Sequence, residues 1–212
     1  MELLSRVVGP IATNVYFLAD DRSKEAIAID TATPCLTWIA GELRARGWTL
    51  KLIVSTHGHW DHIGDNAAVA GHTGADIAVH PLDGERLVHP NPISAPFEIV
   101  PSVPAVDLAE GGEVRFGSIR LQVIHTPGHT EGSVCLYAAE DGLLFSGDTL
   151  FAGGWGRVDL PGGSAEQMAE SLARLATFED PLGVRPGHGA WTTIARERPW
   201  MELVRDGELR IR

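Results

Sequence analysis

The sequence predicts a layered α/β sandwich built as one domain over residues 1–212. Three observations predict it. Short apolar or alternating runs of strand length alternate with helix-like segments in both halves of the chain, a pattern of layered strands and helices rather than of an all-α or all-β domain. A length of 212 residues suits one sizeable core and is too short for two large ones. With 44% hydrophobic and 21% charged residues, the chain has ordinary globular usage, and no linker divides it.

The elements follow in order. Val15-Tyr16-Phe17-Leu18 and Glu25-Ala26-Ile27-Ala28-Ile29 read as strands. Thr33-Pro34 opens a helix with Trp38, Ile39 and Leu43 on one face, ending near Gly47. Leu50-Lys51-Leu52-Ile53-Val54 is a strand, and a helix is expected from about Ile63 to His72, closed by Gly74. Asp76-Ile77-Ala78-Val79 is another strand. Prolines at 81, 90, 92, 96, 101 and 104 then mark a loop-rich connection, suited to a surface arm over a pocket. Strands are expected at Glu113–Phe116, Ile119–Ile124, Ser133–Tyr137 and Leu143–Phe145. Ala165 to Phe178 is an amphipathic helix, with Ser164 as N-cap and Gln167 three residues on. A last helix is expected from Thr192 or Thr193 to Val204, interrupted or kinked at Pro199.

A net charge of −11, with only two lysines, disfavours nucleic acid and anionic membrane surfaces, which need clustered basic groups. It does not reveal the substrate, because bound divalent metals make a pocket locally positive. Cys35 and Cys135 are far apart with no redox spacing and read first as small buried hydrophobes, with a disulfide or a reactive thiol as the alternatives. With no apolar run long enough to span a bilayer and no basic-then-apolar start, a cytoplasmic location is expected.

The chemistry is concentrated in His57-Gly58-His59-Trp60-Asp61-His62, four metal-competent side chains in six residues directly after the strand ending at Val54. Imidazoles and carboxylates suit zinc, manganese or iron, and the absence of cysteine argues for an open working site rather than a closed structural one. Three other strand ends carry a metal-competent side chain in a Gly-containing turn: Thr126-Pro127-Gly128-His129, Ser146-Gly147-Asp148 and Arg185-Pro186-Gly187-His188. His57, His59, Asp61, His62, His129, Asp148 and His188 are too many for one tetrahedral ion. If one carboxylate bridges, they suit two ions about 3.5 to 4 Å apart that share Asp148 and a hydroxide.

The ordered set His57-x-His59-x-Asp61-His62, His129, Asp148 and His188 resembles the metallo-β-lactamase superfamily over nearly the whole chain. The resemblance implies a four-layer αββα sandwich of two mixed sheets with outer helices. It also implies His57, His59 and His129 on one metal, Asp61, His62 and His188 on the second, and Asp148 between them. Within the superfamily, Thr126 to Ser133 and Phe145 to Phe151 are similar to the glyoxalase II group, the hydroxyacylglutathione hydrolases, and Gly156 to Gly163 to its small single-domain members. Two features differ from the larger enzymes. The C-terminal helical region that helps the larger enzymes hold glutathione is not expected from the few residues before Arg212, and Trp155-Gly156-Arg157-Val158-Asp159 keeps their cation without their aromatic pair.

The expected activity is therefore hydrolysis of a small acyl-thiol such as an acyl-glutathione. The cofactors would be two divalent ions, zinc first, with iron or manganese accepted by the same donors. Asp61 and Asp148 would orient the metal-bridging hydroxide. Arg157 is a candidate for a substrate carboxylate or for a plain salt bridge, and Trp155 and Trp60 are candidates for lining the pocket or for packing. Asp30 is a candidate partner behind a metal-bound histidine, or a turn residue. His72, His80, His89 and His125 fall outside the ligand pattern. The rival from another reaction class is a persulfide dioxygenase with one iron on His57, His129 and Asp148, and a lactonase is a further alternative. The cysteine that β-lactamases proper commonly place at the second metal has no equivalent, and a nuclease would need basic surface. Loss of activity would predict a damaged ligand set, and all seven positions are present. The oligomeric state is open.

Overall fold

The structure, a computed structural model, describes residues 1–90 and 95–211. The first half supplies β1 (Glu2–Val8), β2 (Thr13–Asp20), β3 (Glu25–Ile29), α1 (Leu36–Arg46), β4 (Thr49–Val54), α2 (Trp60–Ile63), α3 (Asn66–Thr73), β5 (Asp76–Val79), α4 (Gly84–Val88) and β6 (Val106–Asp107). The second half supplies β7 (Glu113–Phe116), β8 (Ile119–His125), β9 (Val134–Ala138), β10 (Leu143–Gly147), α5 (Ala165–Leu175), β11 (Gly183–Pro186), β12 (Thr192–Thr193) and α6 (Ile194–Arg205).

Each half folds into a six-stranded mixed sheet, ordered β1-β2-β3-β4-β5-β6 and β12-β11-β10-β9-β8-β7. In the first sheet β1, β2 and β3 are antiparallel and β3 to β6 parallel; in the second only β10 and β11 run parallel. Strand alternation sorts the apolar side chains into three layers. Tyr16, Leu18, Ile27 and Ile29 face inward onto Phe116, Leu121, Leu136 and Phe145 of the other sheet. Phe17, Ala28 and Ile53 face outward onto Ile39 of α1 and Val69 of α3. Ile124, Cys135 and Leu144 face the other way, onto Met168 and Leu172 of α5 and Met201 of α6. The order is helix, sheet, sheet, helix. This is the αββα sandwich, with the α1, α3, α5 and α6 faces as its outer layers.

Several elements depart from the expected bounds. The helix expected over 63–72 is split into α2 and α3 because Asp65, between them, is used elsewhere: its carboxylate accepts from the Cys35 and Leu36 N–H groups at 2.7 and 2.9 Å and from the Thr33 hydroxyl at 2.6 Å. It thereby supplies the missing N-terminal acceptor of α1. The stretch expected to be loop-rich contains a short 3₁₀ turn, Pro81–Asp83, and then α4; Pro92 of that stretch lies outside the described residues. Edge strand β1 has no counterpart in the expected elements, since its exposed Ser5 and Arg6 dilute the apolar pattern. α5 ends at Leu175 rather than Phe178, and Ser164 caps it by accepting from the Gln167 N–H at 3.3 Å. The two cysteines are buried on opposite outer faces, in the α1 and α5 layers, so no bridge joins them. Burial pushes the Cys135 thiol up to about 11, far from a reactive thiolate.

The topology places one end of both sheets along a common rim. The segments leaving β3, β4 and β5 meet the β8–β9 connection and the ends of β10 and β11. Ligands of open α/β sheets commonly bind at such carboxyl ends.

Candidate metal centre

All seven expected donors meet at this rim. His57, His59, Asp61 and His62 follow β4, His129 lies between β8 and β9, Asp148 follows β10, and His188 follows β11. Their ligand atoms form three groups, each within 4.8 Å: His57, His59 and His129; His57, His62 and Asp148; Asp61, His62 and His188. Asp148 stands between the outer two. Its Oδ1 is 3.4 Å from His62 Nε2, and its Oδ2 is 3.5 Å from both His129 Nε2 and His188 Nε2.

The group behind each ring decides which nitrogen faces inward. His62 Nδ1–H donates to Asp30 at 2.9 Å, His129 Nδ1–H to the Arg157 carbonyl at 2.7 Å, and His188 Nδ1–H to the Ile11 carbonyl at 3.1 Å. The Thr56 hydroxyl gives its proton to Asp30 at 2.8 Å, so it accepts from His57 Nδ1–H at 3.1 Å. Four rings therefore present Nε2 to the centre. His59 presents Nδ1, 2.8 Å from His129 Nε2.

These donors fit divalent ions by a direct observation. Among the described residues His57 Nε2 and Asp148 Oδ1 are buried with no hydrogen-bond partner, a costly condition unless a cation completes them. His62 and His188 likewise turn nitrogen onto nitrogen at 3.2 Å.

The electrostatics differ across the centre. Burial and the neighbouring imidazoles hold His57 well below the ordinary histidine value, and burial followed by His129 takes His59 down to about 3. Burial also presses His62 downward, but Asp61, Asp148 and Asp30 surround it and hold it well above the ordinary value. Burial would raise Asp61, yet His62 and His188 keep it far below the carboxylate range. One side is thus a set of neutral nitrogen donors; the other demands positive charge. Gly187 must be glycine for space, since a Cβ there would lie 2.3 Å from Asp148 Oδ1.

The centre floors a cavity of about 640 Å³ with apolar walls at Ile11, Trp60, Phe151 and Leu160 and cations at Arg86 and Arg157. Arg157 forms a two-point ion pair with Asp159, at 2.7 and 2.8 Å. Trp155, expected at the pocket, is not on its wall; its ring packs on Trp200 at 5.5 Å in the α5–α6 layer, because the turn after Phe151 directs it into that core. Asp30, buried at the end of β3, holds Thr56 and His62 together. His80 and His125 stack on each other at 4.1 Å outside the centre, and His89 reaches the cavity. Thr13, whose hydroxyl donates to Asp61 at 3.2 Å, and Arg86 belong to the site without any ligand-like spacing in the sequence. No local signal marks them.

Residues 8–188 match the model of the metallo-beta-lactamase superfamily. A hydroxyacylglutathione hydrolase of Maricaulis maris is 35% identical over 188 residues, covering 88% of this chain and 66% of that protein. The crystal structure of TTHA1623 in a di-iron-bound form superposes with a TM-score of 0.81 at 32% identity, covering 92% of this chain and 96% of that one. The crystal structure of BLEG-1, a B3 metallo-beta-lactamase, superposes with a TM-score of 0.79 at 30% identity, covering 94% and 99%.

Proposed function

Because the chain belongs to the metallo-beta-lactamase superfamily, we propose that it is a metal-dependent hydrolase that cleaves the thioester of a small acyl-thiol, with an acyl-glutathione as the model substrate. The observation that carries this reading is the division of seven donors into two triads about Asp148 on the floor of the cavity. The similarity to a hydroxyacylglutathione hydrolase supports thioesters as the bond class. Two divalent ions held there supply, when bound, an acidified water and a Lewis acid for the substrate carbonyl. The chain's own residues do the rest. Asp148, with its unpartnered Oδ1, and Asp61, steadied by Thr13, direct their remaining oxygens at the attacking water. Ile11, Trp60 and Phe151 exclude bulk water from the reacting group. The guanidinium of Arg157, whose Nε and one Nη engage Asp159, keeps its other Nη for a substrate carboxylate at the cavity rim.

The test is metal analysis of protein reconstituted separately with zinc, manganese and iron, with assays on an acyl-glutathione, a β-lactam and a glutathione persulfide under oxygen. Two metals per chain with thioester cleavage as the fastest reaction is the expected result. One iron per chain with persulfide-dependent oxygen uptake, or preferential β-lactam turnover, overturns it.

A further inference from the structure

Four donors converge on a carboxylate that belongs to no ligand pattern. Asp83 ends the 3₁₀ turn after β5 and is fully buried. Its Oδ2 accepts from the Gly58 N–H at 2.7 Å and from the Thr130 hydroxyl at 2.8 Å. Its Oδ1 accepts from the Gly132 N–H at 3.1 Å and from Arg86 Nε–H at 3.3 Å. Gly58 lies between His57 and His59, and Thr130 directly follows His129. A single side chain therefore grips both loops that carry the three imidazoles of the first triad. The approach is close: a Cβ on Gly132 would lie 2.7 Å from Asp83 Cγ, so the 129–132 loop is laid against the carboxylate itself.

The second triad is held by other groups, namely Thr13 behind Asp61, Asp30 behind His62 and the Ile11 carbonyl behind His188. His59 differs from the other rings. Among the described residues its only hydrogen-bonding neighbour is His129, so no outward partner aims it and the backbone beside it must do so. That backbone is the Gly58 N–H on Asp83.

We propose that Asp83 is a positioning residue of the first metal triad, acting on the backbone of its two loops where the Arg157 carbonyl and Thr56 act on single rings. It sets the separation of the His57–His59 loop from the His129 loop and thereby raises metal affinity at that site and not at its neighbour. Partners of this kind commonly change metal affinity by about 10- to 100-fold. The proposal rests on metal binding at the centre and is independent of the substrate, so a failed thioester assay leaves it standing.

The experiment titrates metal-free protein with zinc against a chromogenic chelator for the parent chain, Asp83→Asn, Thr130→Val, and both changes in a His188→Ala background that weakens the second triad. Asp83→Asn is expected to weaken one of two sites by about 10- to 100-fold with the other little changed, and to remove the tight site left in the His188→Ala background. Thr130→Val, which deletes one of the four bonds, should give a smaller loss at the same site. Equal weakening of both sites, or unchanged affinities with a lowered Tm, overturns the proposal. If Asp83→Asn does not fold, Thr130→Val decides by the same criteria.

Discussion

Five imidazoles and two carboxylates share one small volume, and at the scale of single residues the atoms behind them decide what they do. Asp30, the Arg157 carbonyl and the Ile11 carbonyl each take an Nδ1 proton and leave an Nε2 lone pair facing the centre. Asp148 has no such partner on Oδ1, which suits a residue that serves two ions. Asp148→Ala is expected to lower metal content at both positions and turnover by about a thousandfold, about 4 kcal/mol of barrier. Metal analysis beside steady-state rates checks it, and retained turnover would refute the bridging role. The seven donors are legible in the sequence because four stand within six residues and the others close Gly-containing turns after apolar runs. Thr13, Ile11 and Asp83 are not, because the partners that tie them to the ligands and their loops lie from 25 to 177 positions away and nothing in their own neighbourhoods announces the contact.

At the scale of elements, helices act on the site through single buried side chains. Glu197 of α6 accepts from the Gly153 N–H and Trp200 Nε1 at 2.7 Å each and from the Thr192 hydroxyl at 2.5 Å, so it anchors the turn behind Phe151, a wall of the cavity. Glu197→Ala leaves the buried Thr192 hydroxyl without its acceptor, at a cost of about 1 to 3 kcal/mol, and frees the half-buried Trp200 and the exposed Gly153 N–H groups. The expected result is a lower Tm together with a raised KM and normal metal content, read by thermal melts, kinetics and metal analysis on one preparation. A fall in metal content would show that the helix supports the centre rather than the wall. The same logic explains where sequence periodicity misled: a helical pattern over 63–72 is real, but Asp65 leaves it to cap α1, a use visible only once α1 lies alongside.

Across the whole molecule, the two sheets are joined by polar contacts as well as by their shared apolar layer. Asp20, at the end of β2, accepts from the Ser118 N–H and hydroxyl at 2.8 and 2.9 Å in the turn between β7 and β8, and from the Arg22 N–H at 3.0 Å. The Ser118 N–H first, then that of Arg22, lower its carboxyl to about 2. A depressed folded value means that the stabilisation is present above the unfolded carboxylate value of about 3.9 and is lost as pH falls toward the folded one. Asp20→Asn should therefore lose less stability than the parent between about pH 5 and about pH 2, compared by urea unfolding at each pH. Equal acid losses in both proteins would discount the link.

The sequence by itself determined the layering and the donor set, because both rest on local order: period-two and helical runs, and ligand residues at fixed steps along a short turn. Only the tertiary structure decided which nitrogen each ring offers, that Trp155 packs away from the cavity, that Asp30 backs His62 rather than serving as a plain turn residue, and that Asp83 ties the two ligand loops together. The physical reason is range. Hydrogen bonds and coordination act over about 3 Å of space, and the folding of two sheets onto one rim brings within that range residues whose separation along the chain carries no trace of it.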